Sequence, residues 1–387
     1  DVHIVCTESA DFDIVLALAS ALILPPSAHQ DEFLDQADVD LEALLVNTSN
    51  QRINLTVIDA TTGIHDLDTV RYVMTREVRL LPLTMVKSTE LVHAPDSLFL
   101  ASCMDDADAL RDDITKLTLL GTRVHCVVRN PSKVGAQQSA IMRLAAKSEW
   151  SFIGLTTSDL KHMESHFPAL FGPVFKSDAF KGLLSLIFPH LSVTDTPTEP
   201  TNLASVLGGD LLPVHDKQRK YQEVINTYAT TLPRIKVQLI DCFGSGKTKQ
   251  YVIPHMVAHD SLFIGHNLPL RTYLDRVAKS RIVVPLPLDA QSARTAERIV
   301  SVALSTGRPL LLPAAVYASY FAPFVPAEMV VIADNVVDYE RTLIGLKDFA
   351  LDADEEELKR KLTAAQDIRA KLLRRNFMVM NHIVENV

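Results

Sequence analysis

Residues 281–288 read Arg-Ile-Val-Val-Pro-Leu-Pro-Leu, residues 294–297 read Arg-Thr-Ala-Glu, and residues 309–312 read Pro-Leu-Leu-Leu. The first and last segments are short apolar runs of the kind that form strands buried on both faces, and the middle segment opens a helix. Together they make a strand–helix–strand unit, which is typical of a parallel sheet. The same alternation runs through the whole chain and predicts an α/β fold.

Apolar strand-like runs occur in two groups, separated by a Thr-, Pro- and Ser-rich segment. The predicted strands are 2–6, 55–58, 97–101, 124–128 and 152–155, then 203–207, 236–240, 261–264, 282–284, 309–312 and 329–332. This grouping predicts two Rossmann-like lobes that face each other across a cleft, 1–190 and 203–350, joined by a linker at 191–202. Residues 351–387 are predicted to form a helix that begins acidic and becomes basic, matching the helix dipole, and that straps back over the lobes.

The composition is that of a globular protein. The chain has 387 residues, of which 47% are hydrophobic and 22% charged, and this length is typical of about two domains. Its longest apolar run, 14–26, spans only about a dozen residues, fewer than the roughly 20 needed to cross a bilayer. We therefore expect no membrane span, and no basic segment indicates a secretory signal.

Charge and cysteine usage narrow the function classes further. The net charge of −9 argues against nucleic-acid binding through global charge alone, because phosphate neutralisation needs many Lys and Arg on one face. A local basic groove stays open. The cysteines show no metal-ligand spacing, and we expect reduced thiols in a cytoplasmic protein. They are Cys6, Cys103, Cys126 and Cys242.

Residues 244–248, Gly-Ser-Gly-Lys-Thr, look like the end of a phosphate-binding P-loop. The pattern requires glycine at position 241, where this chain has Asp241, and a helix directly after the loop. Residues 250–254 read Gln-Tyr-Val-Ile-Pro instead. The sequence therefore argues against a P-loop triphosphatase.

Other polar clusters have ordinary structural explanations. The acidic run 105–113 lies where a strand ends and a helix begins, so capping explains most of it, although one carboxylate there could still face a ligand. His125 lies in an apolar strand and is interpreted as a core histidine. His162 and His166 lack the H-E-x-x-H order of a zinc site and are interpreted as a solvated helix face. We expect no metal site.

Arg294 and Glu297 are three residues apart at a helix start, so their side chains share one helix face. A guanidinium there can hold a diphosphate while the carboxylate binds a ribose diol. Taken alone, the pair is more typical of a surface ion pair than of a nucleotide site.

Neighbouring loops strengthen the nucleotide interpretation. The first strand of the second lobe ends in Gly208-Gly209 and leads to a helix opening at Lys217-Gln-Arg219. The next strand ends in Cys242-Phe243-Gly244, and the third runs through Phe263-Ile-Gly-His-Asn-Leu-Pro269. In this order of features, over residues 203–387, the chain resembles the DNA β-glucosyltransferases of T4-like phages, a two-lobed GT-B family.

The resemblance implies a set of residues that bind a UDP-sugar donor: Gly208, Gly209, Lys217, Arg219, Phe243, Gly244, Gly265, His266, Asn267, Leu268, Arg294 and Glu297. According to the resemblance, Arg219 and Arg294 hold the diphosphate and Glu297 holds the ribose. The backbone of 265–268 reads the uracil edge. Two guanidinium groups can stabilise the leaving diphosphate, so no metal or other cofactor is required.

The first lobe departs from the family. An Asp that follows a first-lobe strand is the family's general base, whereas the strand 124–128 runs into Arg129-Asn-Pro131. Asp105 or Asp106 is the candidate base in its place. The second phosphate-binding Arg of the glycine loop is also unmatched, with His215 or Lys217 nearest.

The predicted function is transfer of a sugar from a UDP-sugar to a hydroxyl, with hydroxymethylated pyrimidine in phage or viral DNA as the expected acceptor. A local patch of Arg129, Lys133 and Arg143 could contact acceptor phosphates, although scattered surface charge is the more common explanation of such residues. Two alternatives stay open: a non-catalytic nucleotide-sugar-binding or scaffold protein, and a sugar-nucleotide epimerase of the same fold. The sequence predicts neither the sugar nor the oligomeric state.

Overall fold

The computed structural model describes residues 1–6, 12–23, 54–59, 79–82, 95–101, 122–128, 149–154, 165–166, 203–207, 221–231, 236–240, 251–257, 260–265, 268–285, 297–322, 325–333 and 355–386. The chain divides into two compact units. Unit 1 comprises Asp1–Phe188 and Lys371–Val387, and unit 2 comprises Pro189–Ala370. Each unit contains one six-stranded sheet.

The sheet of unit 1 is entirely parallel. Its elements are β1 (Val2–Cys6), α1 (Phe12–Ile23), β2 (Leu55–Asp59), β3 (Arg79–Pro82), β4 (Ser97–Leu100), β5 (Arg123–Val128) and β6 (Glu149–Gly154). The strands lie in the order β3-β2-β1-β4-β5-β6. This is the strand order of the Rossmann fold, in which the chain reverses direction across the sheet between the first and fourth strands.

Burial explains why the strands of unit 1 read as continuous apolar runs. Every residue of β1 and β4 is buried, as is every residue of β5 after Arg123. Residues 14–22 of α1 are buried on all sides as well, which accounts for the long apolar run in the sequence. Residues 14–22 of that run thus lie in a core helix, and no helix among the described residues is long and apolar enough to cross a membrane.

Unit 2 repeats the same plan with its own elements, again with all strands parallel. They are β7 (Leu203–Leu207), α2 (Tyr221–Thr231), β8 (Lys236–Ile240), β9 (Leu262–Gly265), α3 (Leu270–Ala278), β10 (Val283–Pro285), α4 (Glu297–Thr306), β11 (Leu310–Pro313), α5 (Ala314–Val316), a π-helical turn (Tyr317–Phe321), a 3-10 turn (Ala327–Met329) and β12 (Val330–Ala333). The order β12-β11-β10-β7-β8-β9 is the Rossmann order again. The prediction of two Rossmann-like lobes is confirmed.

The core of unit 2 includes the start of the C-terminal helix, α6 (Glu355–Asn386). Leu358 and Leu362 of α6 pack with Val224 and Ile225 of α2 in one buried cluster. In the same cluster the Tyr228 hydroxyl donates to the Ser261 carbonyl at 3.1 Å. Burial raises the pKa of Tyr228 to about 12, so this hydroxyl remains a donor at neutral pH.

Helix α6 belongs to both units, because it begins in unit 2 and ends in unit 1. In unit 2, Nζ of Lys361 donates to the Val330 carbonyl at 2.8 Å. In unit 1, Nη2 of Arg123 donates to the Val384 carbonyl at 2.9 Å. The first turn carries Glu355, and the two residues after it are also Glu, so the predicted acidic start of the helix is confirmed.

One expectation needs correction. Cys126 is disulfide-bonded, with a partner outside the described residues, so the expectation of reduced thiols is wrong for this residue. Cys6 is a reduced, buried thiol.

Strand β3 was not predicted, because its four residues Arg-Leu-Leu-Pro are few and end in proline. Pro82 is tolerated there because β3 is an edge strand.

Candidate nucleotide-binding site

Four neighbouring strands of unit 2 end in one row. Pro285 of β10 pairs with Leu207 of β7, Leu207 pairs with Ile240 of β8, and Ile240 pairs with Gly265 of β9. Because the sheet is parallel, these residues mark its carboxyl edge, where open α/β sheets bind ligands. Three strand spacings of about 4.8 Å make this row about 14 Å long, a span comparable to an extended nucleoside diphosphate.

The row contains the point at which the chain reverses direction across the sheet. Strand β7 is followed by β8 on one side, while β10 lies on its other side. In Rossmann folds, ligands bind in a crevice at such a point. The predicted glycine pair comes directly after β7, and Arg294 lies in the connection that leaves β10.

The described residues include only part of the predicted donor site. Gly265 ends β9, Leu268 lies three residues further along the chain, and Glu297 is the first residue of α4. The following predicted residues lie outside the described part of the chain: Gly208, Gly209, Lys217, Arg219, Phe243, Gly244, His266, Asn267 and Arg294. The roles of all these residues stay predictions.

Gly265 has a packing reason to be glycine. A Cβ at this position would lie 2.6 Å from Cε1 of Phe263 and 3.0 Å from Cδ1 of Leu268. The Phe263 ring thus occupies the space beside the backbone of Gly265. On this side of the strand, an aromatic ring of the protein lies against the backbone that the family resemblance assigns to the uracil edge.

A hydrogen-bonded network holds the Phe263 ring. The guanidinium of Arg276 lies 3.8 Å from the ring centroid, a cation–π geometry, and its Nη1 donates to Oε1 of Gln238 at 3.4 Å. The Gln238 amide, which is fully buried, donates to the Arg276 carbonyl at 3.1 Å and to Oγ of Ser280 at 3.0 Å. Gln238 is the strand partner of Phe263, so the network fixes α3 on β9.

Helix α3 begins at the carboxyl edge, directly after the turn that the family resemblance assigns to the uracil. Pro269 is its N-cap residue and makes no side-chain capping bond, and its carbonyl accepts from the Tyr273 amide at 3.0 Å. The first amides of a helix without a side-chain cap keep donors for another group. Together with the helix dipole they favour an anion or a polar ligand edge at this point.

In unit 1 the equivalent edge lies where β1 and β4 end. The candidate bases Asp105 and Asp106 follow the end of β4 by only a few residues, but they lie outside the described residues. Their assignment stays a prediction.

His125 is a core residue and no catalytic base. Its Nδ1 lies 2.6 Å from Oγ of Ser151, and its ring centroid is 4.6 Å from that of Phe99. Burial, helped by the nearby charge of Arg123, lowers the pKa of His125 to about 3. The imidazole is therefore neutral, and the interpretation as a core histidine is confirmed. His166 is helical and exposed, as a solvated face requires.

Two negative observations concern the described residues only. No group of three or more His, Cys, Asp or Glu among them could hold a metal ion. Residues 251–257, which follow the P-loop-like segment, contain no helix. A P-loop runs into a helix, so this agrees with the argument against a triphosphatase.

Sequence reasoning did not assign a role to Phe263, Arg276 or Gln238. The spacing of Phe263 and Gly265 puts both on one face of β9, which is a signal for their contact. The partner Arg276 could not be found in this way, because its position depends on how α3 packs on the strand.

No protein-family model matches the sequence, and no curated protein matches it either. Solved structures do match over most of the chain. T4 phage BGT in complex with UDP and Mn2+ is 10% identical, covers 100% of this chain and 99% of that chain, and has a TM-score of 0.48. A UDP-N-acetylglucosamine 2-epimerase is 12% identical, with coverages of 97% and 93% and a TM-score of 0.47. S. aureus MnaA with UDP is 10% identical, with coverages of 93% and 90% and a TM-score of 0.48. At these identities and TM-scores the likenesses carry no argument about what this chain binds or does.

Proposed function

We propose that unit 2 binds a UDP-sugar and that the protein transfers the sugar to a hydroxyl acceptor. The observation that supports this proposal is the row of Pro285, Leu207, Ile240 and Gly265. The loops that the sequence assigned to the donor all follow these strand ends. They are therefore directed to one edge of one sheet, at the place where Rossmann folds bind nucleotides.

The proposed donor contacts come from the four segments that follow β7, β8, β9 and β10. Arg294, which follows β10, and Arg219, which follows β7, would hold the diphosphate, and the Gly208-Gly209 backbone would approach it closely. Glu297 would bind the ribose diol from the start of α4. Phe243 and Gly244 would lie beside the nucleoside, with the turn 265–268 on the uracil edge.

The proposed reaction needs charge stabilisation on the departing UDP and a base at the acceptor hydroxyl. The two guanidinium groups would supply the first, because donors fixed in place stabilise negative charge as it develops. Asp105 or Asp106, after β4 in unit 1, would supply the second. We keep hydroxymethylated pyrimidine in phage or viral DNA as the proposed acceptor.

Two measurements test the binding step. The melting temperature of the wild-type protein should rise to a plateau as UDP is added. ADP should cause no such rise. Arg294→Ala should weaken UDP binding about tenfold or more, as expected for the loss of a charged phosphate contact. Arg360→Ala is the matched control, because Arg360 is an exposed arginine of α6 in the same unit. Equal UDP affinity in all three proteins, or no UDP response at all, would reject the proposed site.

A second experiment separates the open alternatives. The protein is incubated with labelled UDP-sugars in the presence of hydroxymethylated DNA, unmodified DNA or no acceptor. Label on hydroxymethylated DNA alone supports the transferase. A changed sugar nucleotide without acceptor indicates an epimerase. Saturable binding without turnover under any condition indicates a binding or scaffold protein, which the Arg129-Asn-Pro131 sequence after β5 motivates.

A further inference from the structure

Cys126 forms a disulfide bond inside the sheet of unit 1. It lies in β5, between β4 and β6, and it is 0% exposed. Because it is buried within one chain, the second sulfur comes from the same chain. The other cysteines are Cys6, Cys103 and Cys242, so the partner can be found by elimination.

Cys6 is not the partner of Cys126. It is a reduced thiol, and its position in the sheet explains why. Val5 pairs with Leu100, and Leu100 pairs with Cys126, so the side chains of all three point to one face of the sheet. Neighbouring residues of a strand point to opposite faces. The Cys6 side chain therefore lies on the other face, and the sheet separates the two sulfurs.

Cys103 has a short path to Cys126. The strand register places Leu100 directly beside Cys126, and neighbouring strands are about 4.8 Å apart. Cys103 comes three residues after Leu100, so the two are within about 11 Å even in an extended chain. The chain bends at Ala101, directly after β4 ends. One turn back towards β5 would bring the Cα atoms to the roughly 4.4–6.8 Å that a disulfide needs. Cys242, by contrast, belongs to unit 2.

We propose that Cys103 and Cys126 form a disulfide that fastens the segment after β4 to β5, and that a dithiol can open it. A thiolate of the dithiol attacks the Cys103 sulfur, since the Cys126 sulfur is buried, and Cys126 leaves as a thiolate and takes up a proton. The second thiolate of the dithiol then attacks its own first sulfur and expels the Cys103 thiolate. The protein gains two electrons and two protons, and the dithiol becomes a cyclic disulfide.

The disulfide is next in sequence to the candidate base of the proposed transfer. Asp105 and Asp106 follow Cys103 by two and three residues. A general base must stay within hydrogen-bond reach of the acceptor hydroxyl, and a covalent link this close along the chain restricts where the carboxylate can move. The disulfide therefore keeps the base in place, and its reduction slows the transfer. This step rests on the proposed function, whereas the pairing of the cysteines does not.

Peptide mapping tests the pairing. The full chain is incubated with oxidised glutathione, unfolded with iodoacetamide in the absence of a reductant, and digested. A pair of peptides joined through Cys103 and Cys126 supports the proposal. Cys126 in any other state, whether linked to Cys242, joined to glutathione or alkylated, overturns it.

Melting temperatures test the disulfide in the folded protein. A cross-link of this kind stabilises the folded state, so dithiothreitol should lower the melting temperature of the wild-type protein by about 5–10 °C. Cys103→Ser should melt at the lower temperature with or without dithiothreitol. Cys6→Ala is the matched control, because it removes a reduced, buried thiol of the same sheet and should keep the dithiothreitol-dependent drop. The same drop in Cys103→Ser as in the wild type, or no drop in the wild type, overturns the proposal.

Transfer assays separate the effect on the base from the binding of the donor. Dithiothreitol should lower the rate of sugar transfer to hydroxymethylated DNA about tenfold or more, because the base is no longer held in place. The UDP-dependent rise of the melting temperature should remain, because the candidate donor residues belong to unit 2. Equal transfer rates before and after reduction would reject the effect on the base. No UDP response in either form would reject the proposed function, and the peptide map would still decide the pairing.

Discussion

The guanidinium of Arg276 lies 3.8 Å from the centroid of the Phe263 ring and keeps that ring across the backbone of Gly265. The ring is 38% exposed, so the contact lies at the surface of the carboxyl edge. Such a pair is worth about 0.5–1 kcal/mol at an exposed site. Its main effect is positional, because it fixes the space that is available next to Gly265.

The first prediction follows from this contact. Gly265→Ala should destabilise the protein by about 1–2 kcal/mol, because the added Cβ would meet the Phe263 ring at 2.6 Å and displace it. Urea unfolding measures the effect. Phe263→Leu in the same background should restore most of the lost free energy of unfolding, as a double-mutant cycle detects.

The double variant also tells the two roles of Gly265 apart. If glycine is needed only for ring packing, Phe263→Leu/Gly265→Ala should bind UDP as the wild type does. Restored stability without restored UDP binding would instead indicate that the ligand requires the bare backbone. No recovery of stability would contradict the packing explanation.

The sequence predicted the sheets well because their strands are buried. Strands covered on both faces are mostly apolar, as 124–128 is apart from His125, and such runs differ clearly from the more polar sequence around them. Strand β3 was not predicted, because the choice of residues in an edge strand is less constrained. Arg79 and Pro82 are tolerated there.

For the candidate site, the sequence predicted only which loops lie at the same edge of the sheet, because strand ends determine that. The order of the loops along the chain, with parallel strands, is enough to direct them to one edge. The contact of Arg276 with Phe263 and the burial of the Arg308 side chain depend on how helices pack across the strands. No local spacing in the sequence encodes these distances, so reasoning from motifs did not find them.

The second prediction concerns pH. Burial lowers the pKa of His125 from 6.5 to about 3, so the unfolded chain takes up a proton first as the pH falls. The free energy of unfolding should therefore decrease between pH 6.5 and about 3, by up to about 1.4 kcal/mol per pH unit. Denaturant unfolding at a series of pH values measures this slope.

The control for this slope is His125→Leu, which keeps an apolar side chain beside Phe99 but cannot titrate. Carboxylates also titrate in acid. The informative quantity is therefore the free energy of unfolding of the wild-type protein minus that of His125→Leu. That difference should grow as the pH is raised from 4 to 6.5. Parallel pH profiles would show that His125 is not buried as described.

The third prediction uses the positive φ of Gly307. Gly307→Ala should cost about 1–2 kcal/mol for the left-handed backbone, plus a smaller amount for a Cβ that lies 3.1 Å from Cγ of Gln366. Gly307→Asn should cost less, because asparagine adopts this conformation more readily. Thermal unfolding of the two variants measures the difference. Equal losses would mean that the contact with α6, and not the backbone angle, requires glycine.

The last prediction addresses the end of α6 in unit 1. The four final carbonyls of a helix have no partner within the helix, and the helix dipole favours a cation there. Nη2 of Arg123 meets both needs by donating to the Val384 carbonyl at 2.9 Å. Arg123→Ala should therefore cost about 1 kcal/mol and speed amide hydrogen exchange in the last turns of α6. Arg123→Lys, which keeps the charge, should recover part of the protection. Unchanged exchange in Arg123→Ala would show that the helix end is held by its apolar contacts alone, such as those of the buried Ile383.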